Sequence, residues 1–125
     1  LRKRSATVLA GTPFPKPHSL ASSLAHIRGV VSAGQQAGEG WLLTAEMMES
    51  LENGIPNVVC LQPFGCLPNH ITGKGVMRTL RERFPEANLC AIDFEAGTSR
   101  ANVSNRLKLF LRQAKERFER EHGKA

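Results

Sequence analysis

The sequence predicts an α/β fold in which a short parallel sheet is flanked by helices and a long helix ends the chain. Apolar patterns alternate in the order helix, helix, strand, helix, strand, helix, which is typical of parallel strands joined by crossover helices. The two strand-like runs are apolar nearly throughout, as expected for parallel strands covered on both faces. From residue 100 onward, an apolar stripe at helical spacing predicts the long helix.

A chain of 125 residues with 41% hydrophobic composition suits one domain with a real core. We interpret residues 1–17 as a tail or partial strand, with the strand candidate at Thr7–Ala10. Residues 18–125 are predicted to form a single α/β domain. Because the chain starts at Leu1 and the predicted sheet is thin, we expect this domain to be a fragment of a larger protein.

The net charge of +6 is concentrated at the two ends of the chain. Residues 17–99 hold five cations and eight carboxylates, whereas residues 100–125 hold eight cations and three carboxylates. Basic residues do not alternate with aromatic ones on one face, so we predict no nucleic-acid partner. No apolar run approaches the roughly 20 residues of a membrane span, so no membrane partner is predicted either.

The three cysteines are 6 and 24 residues apart, which fits neither a disulfide framework nor a CxxC zinc site. Free cysteines of this kind are typical of a reducing compartment. We therefore predict a cytoplasmic location.

Two helices are predicted before the first strand. The first begins near Ser19, because apolar residues follow at helical spacing. These are Leu20, Leu24, Ile27 and Val31. The second runs from Glu39 or Trp41 to Asn53, and Gly54 favours a left-handed stop there. Its apolar stripe consists of Leu43, Met47 and Leu51.

The middle of the chain predicts two strand–loop units around one helix. The first strand covers residues 57–62 and continues into a turn-rich loop at 63–74. A helix is expected over about 75–84, and a second strand over 88–94, followed by a glycine-bearing loop at 95–99.

The last helix follows Thr98 or Ser99, either of which can cap it. Its predicted buried stripe extends over about five turns. The stripe consists of Val103, Leu107, Phe110, Leu111, Ala114 and Phe118. Together these elements predict a small Rossmann-like three-layer fold.

Both predicted loops leave the carboxyl ends of parallel strands, where ligands of open α/β sheets bind. Cys66 lies in the loop at 63–74 and is either a thiolate ligand to iron or another soft metal, or an ordinary loop residue. Cys60 and Cys90 lie within apolar strands and are interpreted as core thiols.

Other residues of the two loops are candidates for holding a cofactor. Gly73–Lys74–Gly75, at a predicted helix start, could hold an anion, although it lacks the spacing of a Walker A loop. His70 is a ligand, an acid/base group or a loop-stabilising hydrogen bonder, and Gly97–Ser99 is either a second anion site or a plain cap. The candidate cofactor-binding residues are Gln62, Asn69, His70, Gly73, Lys74, Gly75, Gly97 and Ser99.

The segment Gly38–Glu39–Gly40–Trp41 is a further candidate, because its glycines suggest close backbone approach. The segment is either close to a ligand, or it is simply the start of a helix whose Trp41 is buried in the core. No nucleophile elbow is present, and no catalytic residue is predicted.

Three blocks of residues, at 36–47, 62–71 with the following Gly73–Lys74–Gly75, and 92–106, resemble a known family. They are similar to the C-terminal region of large bacterial proteins related to 2-hydroxyacyl-CoA dehydratase activases. The third block departs from the family pattern, because Phe94, Glu95 and Ala96 replace the usual Tyr-Asp-Pro.

The resemblance implies a role in electron transfer. The complete proteins join ATP-hydrolysing activator domains to a region akin to iron–sulfur dehydratase subunits, and Cys66 occupies the position of a cluster ligand. A [4Fe–4S] cluster is then expected in the complete protein and none on this domain alone. The implied partners are other domains of the same polypeptide or a dehydratase-like subunit.

The nucleotide motifs of the activator do not occur in this chain, so no activity is expected for the isolated domain. The complete protein would belong to an ATP-dependent 2-hydroxyacyl-CoA dehydratase activation system. Two alternatives remain, a non-catalytic module that binds a CoA or nucleotide phosphate, and a structural docking domain.

Overall fold

The computed structural model describes residues 7–12 and 19–123. In this part of the chain, four α-helices and one π-helix accompany two strands. They are α1 (Leu20–His26), α2 (Trp41–Glu52), β1 (Asn57–Pro63), the π-helix (Asn69–Lys74), α3 (Met77–Arg83), β2 (Asn88–Phe94) and α4 (Arg100–His122). The predicted mixed α/β class and the long C-terminal helix are confirmed.

The strands β1 and β2 pair in parallel, as predicted, in a register that runs from Asn57 beside Asn88 to Pro63 beside Phe94. They form a two-stranded sheet within the described residues. The strand candidate at 7–10 is wrong, because Ala10 N–H donates to the Thr7 carbonyl at 3.2 Å in a helical turn. The rest of the predicted tail, residues 1–6 and 13–17, lies outside the described residues.

One face of the sheet carries the main core. Cys60 and Ala91 are register partners, so their side chains point to the same face. Helices α2 and α3 cover this face with residues of high helix propensity and large apolar volume, Met and Leu above all. The buried cluster consists of Met47, Met48, Leu51, Cys60, Val76, Met77, Leu80, Leu89 and Ala91.

The opposite face of the sheet is only partly covered. Helix α4 packs on β2, where Phe110 and Ile92 are buried and Asn88 Nδ2 donates to the Phe110 carbonyl at 3.0 Å. Leu61, the register partner of Ile92 on β1, remains 56% exposed. The described helices therefore cover one face of the sheet along both strands. On the other face they cover only β2.

The predicted apolar stripes of the first and last helices are buried less than expected. On α4, Phe110 is buried but Leu111 and Phe118 are exposed. On α1, Leu20 and Leu24 are exposed. Helical spacing identifies the apolar face of a helix, but it does not tell whether another element is present to cover that face.

The loop predicted at 63–74 is shorter than expected, because residues 69–74 form the π-helix. Gly75 N–H donates to the His70 carbonyl, five residues back, at 2.8 Å. Helix α3 consequently begins at Met77 rather than at Gly75. Glycine-rich sequence is typical of loops, and a π-helix lacks a sequence signature of its own, although such turns are frequent at functional sites.

Candidate functional site

The loops that follow β1 and β2 leave the same edge of the sheet, as the sequence predicted. Phe64 N–H donates to the Phe94 carbonyl at 2.8 Å, which extends the parallel pairing one residue beyond β1. We call this edge, formed by residues 64–74 and 95–99, the carboxyl rim. Most of the candidate residues lie on it or directly beneath it.

Cys66 lies on the carboxyl rim in a tight turn. Gly65 has a φ of +71°, a conformation that favours glycine, and Cys66 N–H donates to the Pro63 carbonyl at 3.1 Å. The side chain is half-buried, and Asn69 Nδ2 donates to Cys66 Sγ at 3.0 Å. Because Asn69 is itself buried, this hydrogen bond holds the sulfur in one position at the rim.

Cys60 lies below the rim and has a different environment. Gln62, which is fully buried, donates its Nε2 hydrogen to Cys60 Sγ at 3.0 Å. Burial raises the pKa of the Cys60 thiol, and the Gln62 hydrogen bond lowers that pKa by a smaller amount. Cys60 is therefore a neutral core thiol at neutral pH, in agreement with its interpretation from sequence. Cys90, interpreted in the same way, is only half-buried.

The Gln62 amide also carries an unsatisfied polar atom. Its Oε1 is buried and has no hydrogen-bond partner among the described residues. A buried carbonyl oxygen in this state costs about 1–3 kcal/mol. Gln62 thus lies at the base of the rim and beside the core, and its amide donates to the Cys60 sulfur rather than to the Cys66 sulfur.

Packing requires glycine on both sides of Lys74. Gly73 is buried, and a Cβ there would lie 3.0 Å from Gln62 Nε2 and 3.1 Å from Cys60 Sγ. A Cβ on Gly75 would lie 2.4 Å from the Ile71 carbonyl oxygen. The tripeptide ends the π-helix, so the expected position at a helix start is wrong.

Lys74 connects the two halves of the rim. Its Nζ lies 3.2 and 3.1 Å from the two carboxylate oxygens of Asp93, at the end of β2. Arg106 on α4 approaches the same carboxylate, with Nη1 at 3.9 Å from Oδ2. All three side chains are about half exposed, so these ion pairs are worth little individually, roughly 0–1 kcal/mol each.

Three other candidates lie at the surface of the rim. The His70 ring is exposed and makes no hydrogen bond to a described residue. A Cβ added at Gly97 would meet no described atom within 4 Å, and the Ser99 side chain makes no capping hydrogen bond to α4. The structure therefore brings the side chains of Asn69 to Cys66 and of Lys74 to Asp93. His70 meets Cys66 through its main chain, where its N–H donates to the Cys66 carbonyl at 3.1 Å.

Two buried threonines that the sequence patterns did not single out connect the rim to α2. Thr44 Oγ1 donates to the Thr72 carbonyl at 2.6 Å, and Thr72 Oγ1 lies 2.6 Å from the Gly40 carbonyl and 2.8 Å from the Pro68 carbonyl. Gly40 has a φ of +47°, and a Cβ there would lie 1.9 Å from the Gln35 carbonyl oxygen. The group that comes close to the Gly40 backbone is therefore another part of the main chain. The available signal for Thr44 was a polar residue between the apolar Leu43 and Ala45 of α2.

Within the part of the chain that the structure describes, no group of three or more His, Cys, Asp and Glu residues could hold a metal ion. Cys66 with its Asn69 hydrogen bond fits a single thiolate ligand and no more. None of the described helices is long and apolar enough to cross a membrane.

Comparisons with family models, with curated proteins and with solved structures gave no match for this chain. The functional evidence is therefore the geometry of the carboxyl rim together with the residue blocks that surround it. Within that geometry, Cys66 is the cysteine that lies outside both strands and on the rim.

Proposed function

We propose that this chain is the C-terminal domain of an activase- and dehydratase-related iron–sulfur protein, in which Cys66 supplies one ligand to a [4Fe–4S] cluster. The observation that carries the proposal is the half-buried Cys66 sulfur on the carboxyl rim, fixed by the Asn69 N–H. The resemblance of residues 62–71 to that family supports it. A cytoplasmic location and a Rossmann-like three-layer arrangement, completed by elements outside the described residues, belong to the same proposal.

One thiolate cannot hold a cubane cluster, which takes four cysteine ligands in the usual case. The remaining ligands would come from other domains of the polypeptide or from a dehydratase-like subunit. When bound, the cluster would supply one-electron transfer to a CoA-substrate dehydratase system. This domain would hold and position the cluster without performing catalysis.

The residues around Cys66 have defined roles in this proposal. Asn69 donates to the sulfur, and hydrogen bonds to cluster sulfurs are one of the factors that set reduction potentials. Thr72 ties the π-helix to Gly40 and so keeps Asn69 beneath Cys66. Gly73 allows the π-helix to pack directly on Gln62 and Cys60.

The proposal is tested by purifying the complete native polypeptide anaerobically and measuring iron, sulfide and the visible absorption band. We expect Cys66→Ser to lose most of the iron and of the band. Cys90→Ser is the matched control, because Cys90 is also half-buried but lies within β2, and it should keep both. Full iron and full absorption in Cys66→Ser would show that Cys66 is not a ligand.

A second candidate function, binding of an anionic ligand, is favoured by a separate observation. A cavity of about 410 Å³ runs along the free edge of β2, between α3 and α4. Its cationic lining consists of Lys74, Arg78, Arg81 and Arg106. Lys74 belongs to the residues that the sequence proposed for a phosphate, whereas Gly73, Gly97 and Ser99 do not line this cavity.

Titration calorimetry with coenzyme A tests this alternative. We expect Arg106→Ala to weaken binding by about tenfold, the effect of losing one charge-assisted phosphate contact. Arg120→Ala, which removes a cation from the same helix but outside the cavity lining, should bind as the wild type does. No heat of binding to the wild type, or equal loss in both variants, would exclude it.

A further inference from the structure

A second groove lies beside α4 at the end of β2, and Cys66 is not among the residues that line it. It has a volume of about 520 Å³. Its apolar lining consists of Phe94, Val103, Leu107 and Leu111. Leu111 is 60% exposed and Phe94 is 44% exposed, so two large apolar side chains face solvent along this groove. We call it the α4 groove.

The apolar surface continues along the helix beyond the α4 groove. Leu107, Leu111 and Phe118 are four and seven residues apart, so they lie on one side of α4 over about 16 Å. Phe118 is also exposed. A strip of this length and spacing matches the anchor positions of a bound amphipathic helix better than it matches a small ligand.

The charges around the α4 groove indicate the chemistry of its partner. The segment from Arg100 to Arg112 contains four cations and no carboxylate. Arg100 lies in the first turn of α4, where the helix dipole disfavours a cation. Arg100 and Lys108 both line the groove, and neither forms an ion pair with a described residue.

The other two cations of this segment are already paired. Arg106 approaches Asp93, and Arg112 donates to Glu116 at 2.7 Å. The unpaired positive charge is therefore concentrated at the groove, where Glu95 is the single carboxylate of the described lining. Carboxylates supplied by a partner would compensate both this charge and the unfavourable contact with the helix dipole.

A second copy of this chain is a poor occupant of the groove. The carboxylates that its own α4 could offer, Glu116, Glu119 and Glu121, are each already paired with a cation of the same helix. We propose that the α4 groove docks an acidic amphipathic helix of a partner. Its apolar residues would contact Leu107 and Leu111, and its carboxylates would face Arg100 and Lys108.

The probe is a fluorescein-labelled synthetic helical peptide of about five turns, with leucines at i, i+4, i+7 and i+11 and glutamates beside them. A second peptide has lysines in place of the glutamates. Fluorescence anisotropy should show that the wild-type chain binds the glutamate peptide at least about tenfold more tightly. Added salt should weaken the binding of the glutamate peptide.

Leu111→Glu and Leu109→Glu form a matched pair on one helix, since the two leucines are 60% and 59% exposed. Leu109 lines the cavity at the free edge of β2, on the other side of α4. We expect Leu111→Glu to weaken binding of the glutamate peptide at least about tenfold, because one buried leucine contact is lost. Leu109→Glu should bind within about twofold of the wild type, and circular dichroism should show that both variants are folded.

Several results would overturn the proposal. These are the absence of saturable binding by the glutamate peptide, equal affinity for the two peptides, and equal loss of affinity in both leucine variants. Sedimentation that showed a dimer of the wild type, dissociated by Leu111→Glu, would assign the groove to a second copy instead.

Discussion

Thr72 makes the most specific polar contacts beneath the rim. Its hydroxyl reaches the main-chain oxygens of Gly40 and Pro68, and its own carbonyl accepts from Thr44. Thr44 and Thr72 are almost completely removed from solvent, and an unmade hydrogen bond is costly there. Positions such as Thr72 and Gly73 thus fix the geometry around Cys66 without any chemistry of their own.

Substituting Gly73 by alanine should destabilise the fold. The new methyl group would lie about 3 Å from the buried Gln62 and Cys60 side chains, and overpacking of this kind costs roughly 1–3 kcal/mol. Urea unfolding followed by the fluorescence of Trp41 measures the free energy of unfolding. Gly97→Ala is the control, because open space surrounds Gly97, and its effect should stay within about 0.5 kcal/mol.

The Cys60 thiol should make the stability of the chain fall at alkaline pH. Its pKa is raised in the folded state, so the unfolded chain ionises first. This contribution to stability is complete below about pH 8.5, the pKa of an unfolded cysteine, and is lost as the pH rises through the folded pKa. The free energy of unfolding of Cys60→Ala should therefore depend less on pH above that value.

Cys90→Ala is the control for this measurement, since Cys90 is only half-buried. It should keep the alkaline loss of stability that the wild type shows. The prediction is contradicted by a Cys60→Ala variant whose stability falls with pH as steeply as that of the wild type.

At the scale of elements, the sequence predicted those features that depend on residues close together in the chain. The apolar runs of β1 and β2, the left-handed Gly54 with a φ of +77°, and the parallel arrangement are all confirmed. The contact of Thr72 with Gly40 joins residues 32 positions apart, and no local pattern encodes such a contact. The same reason explains why the exposure of Leu111 was missed, since it depends on which element is present to cover it.

Replacing phenylalanine by alanine should affect the free energy of unfolding very differently on the two sides of helix α4. Phe110 is buried against β2, so Phe110→Ala should cost about 3 kcal/mol or more. Phe118→Ala removes an exposed ring that stacks on His122, and it should cost less than about 0.5 kcal/mol. Chemical denaturation of the two variants checks both values. A large loss in Phe118→Ala would mean that this side of α4 is covered within the chain.

At the scale of the whole molecule, the three functional candidates occupy neighbouring surfaces. The rim shares Lys74 with the cation-lined cavity, and it shares Glu95 and Thr98 with the α4 groove. Cys66 and Lys74 lie on the carboxyl rim, the cation-lined cavity follows the free edge of β2, and the α4 groove opens beside the last helix. Because these surfaces use largely different residues, variants can separate their functions. Loss of iron, loss of coenzyme A binding and loss of peptide binding should occur in different variants.

The parallel pairing of β1 and β2 has a kinetic consequence. Asn57 and Asn88 pair across 31 positions of sequence, so the chain must close a long loop before any ladder bond can form. The turn at Cys66 is local and can form early, whereas the Lys74–Asp93 bridge requires completed strands. We expect Lys74→Met to accelerate unfolding in stopped-flow experiments and to leave the refolding rate nearly unchanged. Assembly of the rim would then be among the last events of folding.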